Sequence, residues 1–137
     1  MGEDLEGRAV GEAFIEAIES LDFDRLEATL APSIRFRALV PSSCRRASSS
    51  TDARRMIEGW FDGCDRIELE LMRAEAVGDR LHVGYRLRVH DRGGDCYLLE
   101  QHGYGDVAGG KLTSLSLVCS GFLAVESLDD RAVSARR

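Results

Sequence analysis

The hydrophobic period of this chain changes once along its length. From Val10 the apolar residues fall at Val10, Phe14, Ala17, Ile18 and Leu21, the stripe of one helical face, while Glu12, Glu16 and Glu19 mostly take the other side. The spacing predicts a first helix over 8–20. Asp22 is placed to cap a second helix with Phe23, Leu26 and Leu30 on its buried side, and Pro32 stops it. IRFRALV, 34–40, alternates like a short strand, and the Ser-, Pro- and Arg-rich 41–50 reads as a loop. Ser50 or Thr51 can cap a third helix over 52–63, whose Met56, Ile57, Trp60 and Phe61 form an apolar patch.

After Gly63 the period becomes two. Ile67, Leu69 and Leu71 alternate with Glu68 and Glu70, and then the apolar phase slips to Met72, Ala74 and Ala76, which predicts a bulge near Leu71. Gly78 and Asp79 turn the chain into a strand in which Leu81, Val83, Tyr85, Leu87 and Val89 form one face. DRGGD, 91–95, is a hairpin turn by composition, and two more strands, 96–107 and 111–123, are joined by Ala-Gly-Gly. Helices first and hairpins afterwards predict an α+β domain with a curved antiparallel sheet wrapped around N-terminal helices. A sheet bent that strongly forms a cone, whose open end suits a small molecule. The cone domain is expected over 1–123, with a tail over 124–137.

Composition narrows the function classes. With 137 residues there is material for one core, and a net charge of −6 argues against a phosphate-backbone binder, which needs clustered Lys and Arg. No apolar run is long enough to span a bilayer, and the opening MGEDLEGR is acidic where a signal peptide is basic, so a cytoplasmic address is expected. Cysteines 44, 64, 96 and 119 form no CxxC pair, and neither a metal site nor an organic cofactor is implied. His82 and His90 are eight apart, too far to ligate one metal from one strand, so their row reads as a solvated or interface face.

Two segments carry a resemblance. FIEAIESLDFDRLEATLAPSIRFRA, 14–38, and VAGGKLTSLSLVCSGF, 107–122, resemble the helix–corner–helix–strand opening and the closing hairpin strand of the nuclear transport factor 2-like superfamily. That superfamily includes ketosteroid isomerases, scytalone dehydratase and SnoaL-like polyketide cyclases. Set against the ketosteroid isomerases without gaps, their oxyanion-stabilising Tyr falls on Phe14 and their base, an Asp, on Ala38. Phe cannot donate and Ala cannot abstract a proton, so isomerase chemistry of that kind is not available. Their second oxyanion donor falls on His102.

The same register turns Tyr85, Leu87, Val89, Leu115, Leu117 and Cys119 into the cone, and Glu100, His102 and Tyr104 with them. The resemblance then implies a pocket for a small apolar molecule, polyketide- or terpenoid-like, lined by Phe14, Ile18, Phe36, Trp60, Phe61, Tyr85, Leu87, Leu115, Leu117 and Cys119. An acid-base isomerase, cyclase or dehydratase would use His102 as proton carrier, Glu100 as its partner and Tyr104 or Tyr85 as donor. Other readings stand beside it: a core histidine satisfied by a neighbour, or, if a bulge reverses the register, a row that faces water. A non-catalytic ligand-binding or dimeric interaction domain is the alternative function. The opposite face, with Tyr97, Leu99, Gln101, Gly103 and Gly105 beside Leu112, Ser114, Ser116, Val118 and Ser120, is the expected homodimer surface, as in many relatives.

Overall fold

A computed structural model describes residues 2–125. Its elements are α1 (Gly2–Glu19), α2 (Phe23–Ala28), β1 (Leu30–Val40), β2 (Ser43–Ala47), α3 (Ser50–Trp60), β3 (Cys64–Val77), β4 (Arg80–Asp91), β5 (Cys96–Ala108), β6 (Lys111–Cys119) and β7 (Leu123–Ala124). The predicted tail lies outside the described residues from 126 onward.

The helical stripe behaves as its spacing requires: Val10, Phe14, Ile15, Ala17 and Ile18 are all buried. Asp22 caps α2, its carboxylate accepting from the Arg25 N–H at 3.1 Å. The 41–50 segment is not all loop. Pro41 and Ser42 turn the chain into β2, which pairs antiparallel with β1 through Phe36↔Ala47 and Arg37↔Arg46. With β2 occupying that stretch, α3 starts earlier than its sequence suggests and takes Ser49 as cap, the hydroxyl accepting from the Asp52 N–H at 3.1 Å.

One sheet runs β2-β1-β6-β5-β4-β3, with β7 extending the pairing along β5. It is mixed rather than wholly antiparallel, because β1 and β6 run parallel. The predicted bulge is present: the β3–β4 register slips between Leu69 and Leu71. The slip keeps Leu69 opposite Leu87 and Met72 opposite Tyr85. The sheet wraps α1, and the space between them is filled by Phe14, Ile18, Ile34, Phe36, Tyr85, Leu87, Leu115 and Leu117, none more than 2 % exposed. Among the described residues no helix is long and apolar enough to cross a membrane.

On β5 the predicted facing is reversed. Leu99 and Gln101 are buried at 1 % exposure and Gly103 and Gly105 are buried with them, whereas Tyr104 is 48 % exposed. Pairing imposes this, since Gln101 lies opposite both Tyr85 and Cys119, and Gly103 opposite both Val83 and Leu117, all on the concave side. The glycines sit inward because nothing larger fits there. A Cβ on Gly103 would come within 2.1 Å of the Ser116 carbonyl oxygen. On the concave side of a bent sheet, the small residues mark crowding and not a flat outer surface.

Candidate functional site

The interior holds one polar pair. Tyr85, on β4, donates its hydroxyl proton to Oε1 of Gln101, on β5, across the strand pair. Burial, with a smaller contribution from Cys119, pushes the Tyr85 phenol far above its ordinary pKa. It is therefore a neutral donor at any working pH. The Gln101 amide nitrogen, buried, has no hydrogen-bond acceptor among the described residues. Such an orphaned donor costs about 1–3 kcal/mol unless something accepts from it. Phe14 lies against the Tyr85 ring, centroids 6.4 Å apart.

Among the described residues the only other buried polar side chain that is neither aromatic nor thiol is Thr29. Its hydroxyl is engaged by the Leu26 carbonyl at 2.7 Å. Among the described residues, then, no carboxylate, imidazole or amine belongs to a fully buried residue. Its donors, Tyr85 and the Gln101 amide, enable the interior to hold a ligand oxygen.

The imidazole and carboxylate groups that the sequence singles out lie outside the cone. His102 Nε2 and Glu100 Oε2 are 2.8 Å apart, and Arg86 Nε donates to Glu100 Oε1 at 2.7 Å. The Arg86 hydrogen bond first, and the His102 hydrogen bond second, hold the Glu100 carboxyl below its usual range, so it is an ionised acceptor. The His102 ring lies over Gly84, where a Cβ would stand 2.6 Å from Nδ1, and it stacks on His82 with centroids 5.9 Å apart at 10°. Tyr104 meets the other side of that row, 5.1 Å from the His82 ring. The network is half-exposed and on the convex face.

Glu100, His102 and Tyr104 are therefore brought together as predicted, but their inward placement is corrected: the β5 register turns them to the outer face. The same correction moves Tyr97, Leu99, Gln101, Gly103 and Gly105 off the expected dimer surface, and Leu112 with them, which is fully buried. The expected lining residues Phe14, Ile18, Phe36, Phe61, Tyr85, Leu87, Leu115 and Leu117 are all in the core, and Cys119 packs against it half-buried. Trp60, also half-buried, tilts onto Phe36 at 6.2 Å, and Phe61 meets Phe122 edge-on at 5.9 Å. Phe36 also borders a surface cavity of about 400 Å³ on the opposite side of the sheet. Sequence reasoning missed Gln101 as an interior residue; its strand partnership with Tyr85, not its own type, is the signal that finds it.

Residues 11–115 match the family profile described as the SnoaL-like domain. No curated protein matches the sequence significantly. Among solved structures, the chain superposes on an LEH-like epoxide hydrolase from M. tuberculosis with a TM-score of 0.66 at 16% identity, covering 86% of this chain and 85% of that one. A candidate polyketide cyclase from Xanthomonas campestris pv. campestris gives 0.67 at 20% identity, over 85% and 91%. An NTF2-like protein from Burkholderia xenovorans LB400 gives 0.61 at 15%, over 86% and 92%. Likeness at these identities shows a shared fold.

Proposed function

Since the chain belongs to the SnoaL-like domain family, matched over residues 11–115, we propose that it is a binding rather than a turnover member, taking a small, mostly apolar molecule with one acceptor oxygen into the cone. The observation that carries this reading is the buried Gln101 amide, a donor without an acceptor among the described residues in a core otherwise made of apolar groups and Tyr85. A carbonyl or ether oxygen placed there satisfies it. The pair lies in one cross-strand row with half-buried Cys119, so this row reaches the margin of the core. Because the interior is filled, only a small ligand fits, and side chains at that end must shift to admit it.

Gln101→Leu, made together with Tyr85→Phe, separates this reading from a purely structural role. Removing the unsatisfied amide along with the hydroxyl that donates to its oxygen leaves no buried polar atom of the pair unpartnered, so stability is expected to be unchanged or raised by about 1 kcal/mol in urea unfolding. The same change should weaken binding of a bicyclic ketone probe such as tetralone at least tenfold. Absence of saturable tetralone binding to the wild-type chain, or equal binding to both proteins, would sink the proposal.

A second reading concerns assembly. On the convex face Leu39 and Val118 pair directly across β1 and β6, 54% and 59% exposed, with the half-exposed His102 ring opposite Val118 and exposed Tyr104 beside it. We propose that two copies meet over this strip, which corrects the composition of the expected dimer face but keeps its location on the outer sheet. Val118→Asp is expected to shift the sedimentation coefficient from dimer to monomer while leaving the circular dichroism spectrum unaltered. A wild-type chain that sediments as a monomer at tens of micromolar would rule the pairing out.

A further inference from the structure

The convex face carries a second feature that neither the cone nor the apolar strip explains. Arg46 on β2 lies directly opposite Arg37 on β1, and Arg37 opposite Ser116 on β6. One row along, Arg35 pairs with Ser114, which in turn pairs with Asp106 on β5. Together with Arg80 these residues line a groove of about 400 Å³. This size is at the low end of small-molecule sites.

The charge of the groove is unbalanced. Its single carboxylate, Asp106, is already engaged by Arg80 at 3.3 Å and by the Ser114 hydroxyl at 2.7 Å. Arg35 and Arg46 make no ion pair among the described residues, and the only hydrogen bonds of the Arg37 side chain are those from Nε and Nη2 to the Ser116 hydroxyl oxygen, both 3.3 Å. Three guanidinium groups are thus concentrated in a chain whose net charge is −6. Like charges placed directly across a strand pair destabilise it. An anion seated between Arg37 and Arg46 reverses the sign of that interaction, because each planar fork can donate two hydrogen bonds to oxygens of one tetrahedral group. Ser116, used by Arg37 only as an acceptor, still has its own proton to give.

We propose that this groove is a binding site for a phosphate or diphosphate group carried by a small molecule, with Arg37 and Arg46 as its clamp and Arg35 and Ser116 completing it. A long polyanion is disfavoured by the acidic remainder of the surface. The site is independent of the cone, since Phe36, between the two arginines of β1, and Ala38, which follows them, point the other way into the core.

The test is calorimetric titration of the full chain with inorganic pyrophosphate at low ionic strength, repeated with Arg37→Gln/Arg46→Gln. The wild-type chain should bind saturably, the double variant at least tenfold more weakly, and the affinity should fall with added salt. Without anion the variant should unfold no earlier than wild type, because a like-charge pair has been removed, so a loss of binding is not a loss of fold. Co-sedimentation with phosphatidylglycerol vesicles, alongside pyrophosphate binding, would assign the group to a lipid headgroup; pyrophosphate binding without vesicle binding assigns it to a soluble metabolite. No saturable heat with pyrophosphate overturns the site, as does undiminished binding in the variant. An altered sedimentation coefficient in the variant, with no pyrophosphate binding by either protein, also overturns it and makes the groove part of a protein interface.

Discussion

Gly103→Ala is expected to remove several kcal/mol of stability, on the order of 4 kcal/mol or more, and to leave little folded protein at 37 °C. The added methyl would stand 2.1 Å from the Ser116 carbonyl oxygen and 2.8 Å from a Leu117 methyl group. The first obstacle is backbone, so no rotamer change relieves it. Strands β5 and β6 would have to part where Gly103 and Leu117 face each other, and the ladder that turns Gln101 inward lies next to that point. Gly59→Ala is the control: nothing lies within 4 Å of its added carbon, and an exposed helical position of this kind is expected to gain up to about 1 kcal/mol. Urea unfolding of both variants checks the pair. A Gly103→Ala protein within about 1 kcal/mol of wild type would mean that the sheet is less sharply bent than described.

Phe14→Ala is expected to cost about 3–5 kcal/mol, the range for deleting a buried aromatic ring from a core that relaxes only partly. Phe14 is 0% exposed and its ring lies against Tyr85. The deletion would leave a void beside the Tyr85–Gln101 pair, and an apolar void of that size takes up a small aromatic guest. The variant should therefore be restabilised by saturating benzene in thermal unfolding while wild type is not. A loss below about 1.5 kcal/mol, or no response to benzene, would indicate that the interior closes around the missing ring and that the cone is not held open by its sheet. Both measurements bear on function, since a ligand can enter only a frame that resists collapse.

Much of the architecture is legible in the sequence. The period of 3.6 from Val10 to Leu21, the Asp22 cap, the switch to period two after Gly63 and the slip near Leu71 each have one simple physical meaning, and each is found in the fold. These are local properties: a helix face, a cap and a bulge are decided within a few residues of chain. The 41–50 segment is less legible, because β2 is a short strand in which Ser43, Cys44, Arg45 and Arg46 are exposed and only Ala47 is buried, and only its partner β1 makes it one.

The candidate site shows where local reading ends. On β5 one phase offers Leu99, Gln101, Gly103 and Gly105, the other Leu98, Glu100, His102 and Tyr104. Neither is clearly the more apolar, so alternation places the residues on two faces without saying which is inside. The ungapped register of the resemblance turns His102 inward, whereas crowding on the concave side gives that face to the glycines. The sequence by itself determined the α+β order of elements, the helical core stripe, the inward row of β4 and the absence of a base and donor at Ala38 and Phe14. Only the tertiary structure decided that Gln101 and not His102 shares the interior with Tyr85, and that Arg37 meets Arg46 across the outer face. Strand register is a property of two chains of backbone at once, and no single strand contains it.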